Sequence, residues 1–180
     1  MPMPITDSAM KLDEALAGKE IPGEILGTLT LIDVLYISFD KCLHRGQLIV
    51  HKHVSTEVQN IFKKLLEIKF PIAKMIPVTK FDWDDDRSMA ANNTSAFNYR
   101  LIYGTNQISN HSFGLAIDIN PVQNPYVRAD GSISPPRAHY EPSNPGTVTT
   151  EVAEIFISCG WEWGGNWKQK DWQHFQKTLR

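Results

Sequence analysis

Ser109-Asn110-His111-Ser112-Phe113-Gly114-Leu115-Ala116-Ile117-Asp118-Ile119-Asn120 is the stretch on which the fold turns. Leu115, Ile117 and Ile119 alternate with Ala116, Asp118 and Asn120, the period of a half-buried strand. One face is apolar and enters a core. The other carries a carboxylate beside an alanine, which leaves space above the sheet. An aspartate in mid-strand is costly to bury without a partner. A metal ion is one such partner, and His111, just ahead of the strand, reaches the same ion.

Outward from this strand, Val152, Ile155, Phe156 and Cys159 predict a helix over 149–159, with Gly160 as its C-terminal cap. Upstream, Val54, Val58, Ile61, Phe62, Leu65 and Leu66 form one apolar helical stripe that Pro71 ends. Residues 29–38 and the run Gln47–His51 are apolar and β-branched and predict strands. Lys74–Thr79 predicts another strand, and Ser8–Lys19 a short helix stopped by the glycine- and proline-bearing segment 18–23. Six of the eleven prolines lie between Pro121 and Gly146, so this is a long loop. Loops of more than about 15 residues in a compact domain tend to be functional or disordered. Strands and helices mix without a βαβα rhythm, which gives an α+β class: a small, mainly antiparallel sheet with flanking helices. At 180 residues the chain reads as a single domain, with 1–44 an N-terminal helix and strand packing on a 45–180 body.

The 18 Lys+Arg against 20 Asp+Glu leave no basic excess, which argues against a nucleic-acid or anionic-membrane binder. No stretch approaches the roughly 18–20 consecutive apolar residues of a membrane span. The opening MPMPITDSAM has no basic start followed by an apolar run, so it is no signal peptide as written, and location stays open between cytoplasm and export after trimming. Cys42 and Cys159 are too few for a disulfide framework or a four-cysteine zinc site. A single pairing between them stays open, and Cys159 reads as a core residue.

The second informative stretch is Asp171-Trp172-Gln173-His174-Phe175. Asp171 and His174, three apart, share a face only through a turn, so a turn at Asp171 feeding a short strand with His174 is expected. Zinc in hydrolases often takes three N/O ligands and keeps a fourth position open. His111, Asp118 and His174 satisfy that count, with Asp171 left over as a base. The sequence lacks HExxH, and on spacing alone a hydrogen-bonded structural His–Asp couple competes with the metal. His44, His51, His53 and His139 have no carboxylate at an instructive spacing and read as surface or core residues. A serine or cysteine hydrolase fares badly: Ser109 and His111 lie two apart on extended chain, and neither cysteine sits in a nucleophile motif.

SNHSFGLAIDIN matches the SxHxxGxAxD signature of the zinc D-alanyl-D-alanine carboxypeptidases and L-alanyl-D-glutamate endopeptidases, and the chain resembles that family, which shares its fold with the Hedgehog signalling domain. WEWGGNWKQKDWQHFQ is similar to the family's second signature, in which an acidic residue three before a histidine closes the site. SMAANNTSAFNYR before the first motif and NPYV after it add to the resemblance, which covers roughly 45–176. It implies His111, Asp118 and His174 as ligands of Zn2+ and Asp171 as the catalytic carboxylate. Many relatives carry Glu at that position; the shorter arm of Asp171 shifts the base by about a methylene. Arg100, which shares a strand face with Asn98, best matches the family's electrophilic arginine, with Arg87 beside Asp84, Asp85 and Asp86 as fallback. Ser109 and Asn98 become substrate-binding candidates, Ser109 also as an orienter of a ligand. Asn120 or the backbone is expected to orient the ligands from behind. The implied substrate is the peptidoglycan stem peptide, cut at D-Ala–D-Ala or L-Ala–D-Glu, with periplasmic or extracellular action. The alternative is a zinc-stabilised cell-wall-binding module without catalysis. Trp161, Trp163, Trp167 and Trp172 either rim a sugar-peptide site or pack the core, and Tyr126, Tyr140 and Arg137 are candidate contacts from the long loop.

Overall fold

The apolar stripe of helix α3 (Ser55–Glu67) buries Val58, Ile61, Phe62 and Leu65 against the hairpin of β2 (Leu29–Ile37) and β3 (Leu43–His51). A computed structural model describes residues 3–179; Met1, Pro2 and Arg180, at the ends of the expected 1–44 and 45–180 segments, lie outside it. β3 points Leu48 and Val50 into this main core and Ile49 into a second cluster with Ala15, Ile25, Leu29 and Phe97. Both faces of β3 are therefore covered, which explains its unbroken apolar run. The short strand β1 (Ile5–Thr6) pairs parallel to β3, giving the order β1-β3-β2.

A second antiparallel sheet, β4-β8-β7, is built from β4 (Ala116–Asp118), β7 (Glu162–Trp163) and β8 (His174–Gln176). Ile117, Phe175 and Trp163 from these strands join the main core. The α+β class holds, with the strands divided between two three-stranded sheets and one ribbon. Helix α5 (Thr150–Ile157) ties the two parts together: Phe156 stacks on Phe175 at 3.9 Å and meets the edge of Phe62 at 6.4 Å. Phe156→Ala is expected to cost about 3–5 kcal/mol through the cavity it leaves. Denaturant unfolding checks this, and a loss under about 1 kcal/mol would place Phe156 outside the shared core.

Two expected elements differ. Within Ser8–Lys19 only α1 (Leu12–Ala15) is helical. Ser8 Oγ and the Met10 N–H both donate to Gln47 Oε1, at 2.6 and 2.8 Å, which holds residues 8–10 against β3. A further single turn, α2 (Gly23–Leu26), leads into β2. Lys74–Thr79 makes one bridge, Lys74 with Asn93, and then enters a 3-10 turn at Val78. Asn93 takes the place of a strand there: its Oδ1 accepts from the Ile76 N–H and its Nδ2 donates to the Ile76 carbonyl, both at 2.9 Å.

The long proline-rich segment contains a two-stranded ribbon, β5 (Tyr126–Val127) with β6 (Ile133–Ser134). Its ends are fastened by two fully buried asparagines. Asn124 Nδ2 donates to the carbonyls of Ile119, Asn120 and Gly146, and its Oδ1 accepts from the Val148 N–H. Asn120 spans Ala73, Pro71 and Gly146 in the same way. Among the described residues its side-chain hydrogen bonds all go to this framework, so of the two orienters expected, Asn120 or the backbone, it is the backbone that reaches a candidate ligand. Cys42 and Cys159 are both free thiols, Cys159 packed against the main core. Among the described residues no helix is long and apolar enough to cross a membrane.

Candidate metal centre

His111 sits on a 3-10 turn, Asn110–Phe113, whose start is capped by Ser109: its Oγ accepts from the His111 N–H at 3.3 Å. Gly114 ends the turn at φ +66°, and a Cβ there would lie 2.5 Å from the His51 nitrogen. Glycine is thus required twice over, by handedness and by the approach of β3. The His51 N–H donates to the Gly114 carbonyl at 2.9 Å, which docks the turn on the end of β3.

Asp118 ends β4 and His174 opens β8, directly opposite each other in the ladder. His174 Nδ1 is 2.9 Å from Asp118 Oδ1, and His111 Nε2 is 3.1 Å from Asp118 Oδ2. The facing ring nitrogens of the two histidines are 3.2 Å apart. All three side chains are buried, and each offers one ligand atom within 4.8 Å of the others, a grouping able to hold a metal ion. His111 Nδ1 lies 2.5 Å from the Ala96 carbonyl, so that nitrogen carries a proton and Nε2 is the atom left to present a lone pair to a cation. His174 presents the opposite atom, Nδ1.

Without a cation the cluster holds itself together as an ion pair. Burial raises the Asp118 carboxyl, but His111 and His174 outweigh it and hold the group below the usual carboxylate range. Burial likewise works against charge on His174, yet the bond and charge of Asp118, aided by Asp171, push it up to about 9. A metal ion would take the place of that proton.

Asp171 lies on the predicted turn: its carbonyl accepts from the His174 N–H at 3.2 Å, and its own N–H donates to Gly164. A Cβ at Gly164 would come 2.5 Å from the Asp171 carbonyl oxygen, so this bend also needs glycine. Oδ1 of Asp171 is buried without a hydrogen-bond partner among the described residues. Burial first, and then the charge of Asp118, push its carboxyl up to about 6 against the opposing pull of His174 and His111. A partly buried carboxyl with a free oxygen and a shifted pKa has the character of a proton carrier.

Arg100 and Asn98 share a face, as their alternation requires, and both reach Asp85 in helix α4 (Asp85–Ala90). Arg100 donates to Asp85 Oδ2 at 2.9 Å and Asn98 Nδ2 to Asp85 Oδ1 at 3.3 Å. Arg100 Nε and Asn98 Oδ1 are buried without partners among the described residues, one a donor and the other an acceptor. Asp85, read in sequence only as one of a charged run, organises both. Arg87 pairs with Asp82 on the surface.

The tryptophans divide. Trp161 and Trp163 are buried in the core, while the Trp167 ring is 5.3 Å from that of His174 and Trp172 stacks on Tyr140 at 3.7 Å. Tyr126 bridges to Asp171, and Arg137 is exposed. His44 shows a carboxylate pair that sequence spacing missed: Asp7 and Asp40 each lie 3.0 Å from one of its ring nitrogens. Asp40 stands four residues before it across the β2–β3 turn, and Asp7 comes from the N-terminal segment.

Residues 103–177 match the model of a family described as D-alanyl-D-alanine carboxypeptidase. The matched stretch contains His111, Asp118, Asp171 and His174; Asn98 and Arg100 precede it. No curated protein and no solved structure gives a match.

Proposed function

We propose that the chain, whose residues 103–177 match the family described as D-alanyl-D-alanine carboxypeptidase, is a zinc peptidase hydrolysing a peptide bond in the stem peptide of peptidoglycan, outside the cell membrane. One observation carries this reading: two imidazoles present opposite ring nitrogens to one carboxylate, near a carboxyl whose buried oxygen has no partner among the described residues. Three buried N/O donors suit zinc in a hydrolase, which takes water as its fourth ligand. Held by His111, Asp118 and His174, zinc would supply Lewis-acid polarisation of the scissile carbonyl and acidify water at the site.

The chain's own residues do the rest. Asp171 takes the proton of the attacking water on its carboxylate and gives it to the leaving amine. Arg100 donates to the developing oxyanion, a contribution whose loss costs about 3–4 kcal/mol in comparable sites. Asn98 accepts an N–H of the substrate backbone through its free Oδ1. Ser109 holds the His111 turn through its Oγ. A zinc-stabilised binding module needs neither an ionisable Asp171 nor leftover polar atoms, which favours the enzyme.

The test is digestion of purified peptidoglycan fragments by the zinc-loaded chain, read by mass spectrometry. Loss of one D-alanine identifies a carboxypeptidase, and separation after L-alanine an endopeptidase. A chelator is expected to abolish the cut and added zinc to restore it. Intact fragments after incubation with zinc-loaded protein would refute the peptidase and leave the binding module.

A further inference from the structure

Strand β8 carries a polar side chain that no role above explains. His174 and Gln176 are two apart and therefore share a face of the strand. Gln176 Oε1 lies 3.2 Å from His174 Nε2 and accepts from Asn110 Nδ2 at 2.7 Å. Gln176 Nε2 donates to Glu162 Oε2 at 3.0 Å, and Glu162 stands directly opposite Gln176 in the β7–β8 ladder.

The orientation of this amide is not free. An ionised carboxylate only accepts hydrogen bonds, so Glu162 claims the NH2 group of Gln176. The carbonyl oxygen is then turned to His174, where it demands a hydrogen on Nε2. A neutral imidazole with its hydrogen on Nε2 has its lone pair on Nδ1, the atom that faces Asp118 and His111. For His111 the backbone carbonyl of Ala96 fixes the complementary choice. Outer partners of this kind set ring orientation and ligand basicity, and their loss typically costs 10–100-fold in metal affinity.

We propose that Gln176, oriented by Glu162, is the positioning residue that fixes the tautomer of His174 and hence offers Nδ1 to the metal. The inference rests on the metal-site reading above and adds a residue to it.

Zinc affinity by chelator competition on the full chain tests it, with Zn2+ alone as probe and the unfolding midpoint of each metal-free variant recorded alongside. Gln176→Leu is expected to bind zinc about 10–100-fold more weakly. Gln176→Glu places like charges opposite one another at Glu162, so a merely structural Gln176 predicts that it is at least as harmful as Leu. A tautomer-setting role predicts the reverse, because the carboxylate still accepts from Nε2–H. The swap Glu162→Gln with Gln176→Glu restores the donor–acceptor pair and is expected to return affinity to within about threefold of wild type. In 15N spectra of the zinc-loaded wild type, His174 is expected to show a protonated Nε2. Wild-type zinc binding unchanged in Gln176→Leu would overturn this inference and leave the metal site standing. Absence of zinc from the wild type would overturn both.

Discussion

Asp171→Asn is expected to lower kcat by about 10²–10⁴-fold, the usual worth of a positioned general acid–base, with zinc content unchanged. The substitution keeps size and shape and removes only the ability to hold a proton. The backbone contacts of Asp171 to Gly164 and His174 do not depend on its side chain, and its Oδ1 has no bond to lose. The folded protein should in fact gain. A carboxyl pushed up from 3.8 to about 6 disfavours folding wherever it is ionised: the cost is absent below the unfolded value, grows as pH rises through the interval, and is full above about 6. The metal-free Asn variant is therefore expected to unfold at higher denaturant than wild type above pH 6, and at the same concentration below pH 3.8. Loss of turnover combined with gain of stability marks a group kept for chemistry. An Asn variant within threefold of wild-type kcat would remove Asp171 from the mechanism.

What the sequence reveals of this arrangement follows from how local each signal is. The α3 stripe and the alternation around Asp118 are written in consecutive residues, and both elements lie where those periods put them, although the strand is buried on both faces and not half-buried as its alternation predicts. The turn at Asp171 is legible because two groups three apart can converge only through one. Lys74–Thr79 misleads because its apolar run satisfies a strand pattern while Asn93, far along the chain, supplies the hydrogen bonds. The residues that orient the other members of the candidate site are the least visible. Ala96 acts through its carbonyl, which no side-chain pattern marks. Asp85 is hidden in an acidic run and becomes distinct only when Arg100 and Asn98 fold onto it. Gln176 was within reach, two residues beyond His174 on the same strand face. Nothing in sequence, however, sets the direction of its amide; the ladder that brings Glu162 opposite does that.

Asp118→Ala should have the other large effect, and its dependence on pH is the sharper part. Breaking a buried pair by removing one member costs about 3–5 kcal/mol, because the remaining charge is left without compensation. Here that member lies between two histidines, so zinc retention is expected to fail as well. In the metal-free protein the raised His174 contributes stability that is fully present below 6.5 and fades as pH rises through about 9. The depressed Asp118 contributes stability that is present above 3.8 and is lost on acidification. Both conditions hold together only between 3.8 and 6.5. The gap in unfolding free energy between wild type and Asp118→Ala is thus expected to be widest in that window. Towards pH 9 it should narrow, by on the order of 3 kcal/mol if the full shift of His174 is realised. Denaturant titrations of chelator-stripped protein at a series of pH values measure it directly. A gap that stays constant from pH 6.5 to 9 would mean that Asp118 and His174 are not a charged pair. A narrowing gap identifies the proton that zinc has to displace, and predicts that zinc binding near neutral pH releases about one proton per chain.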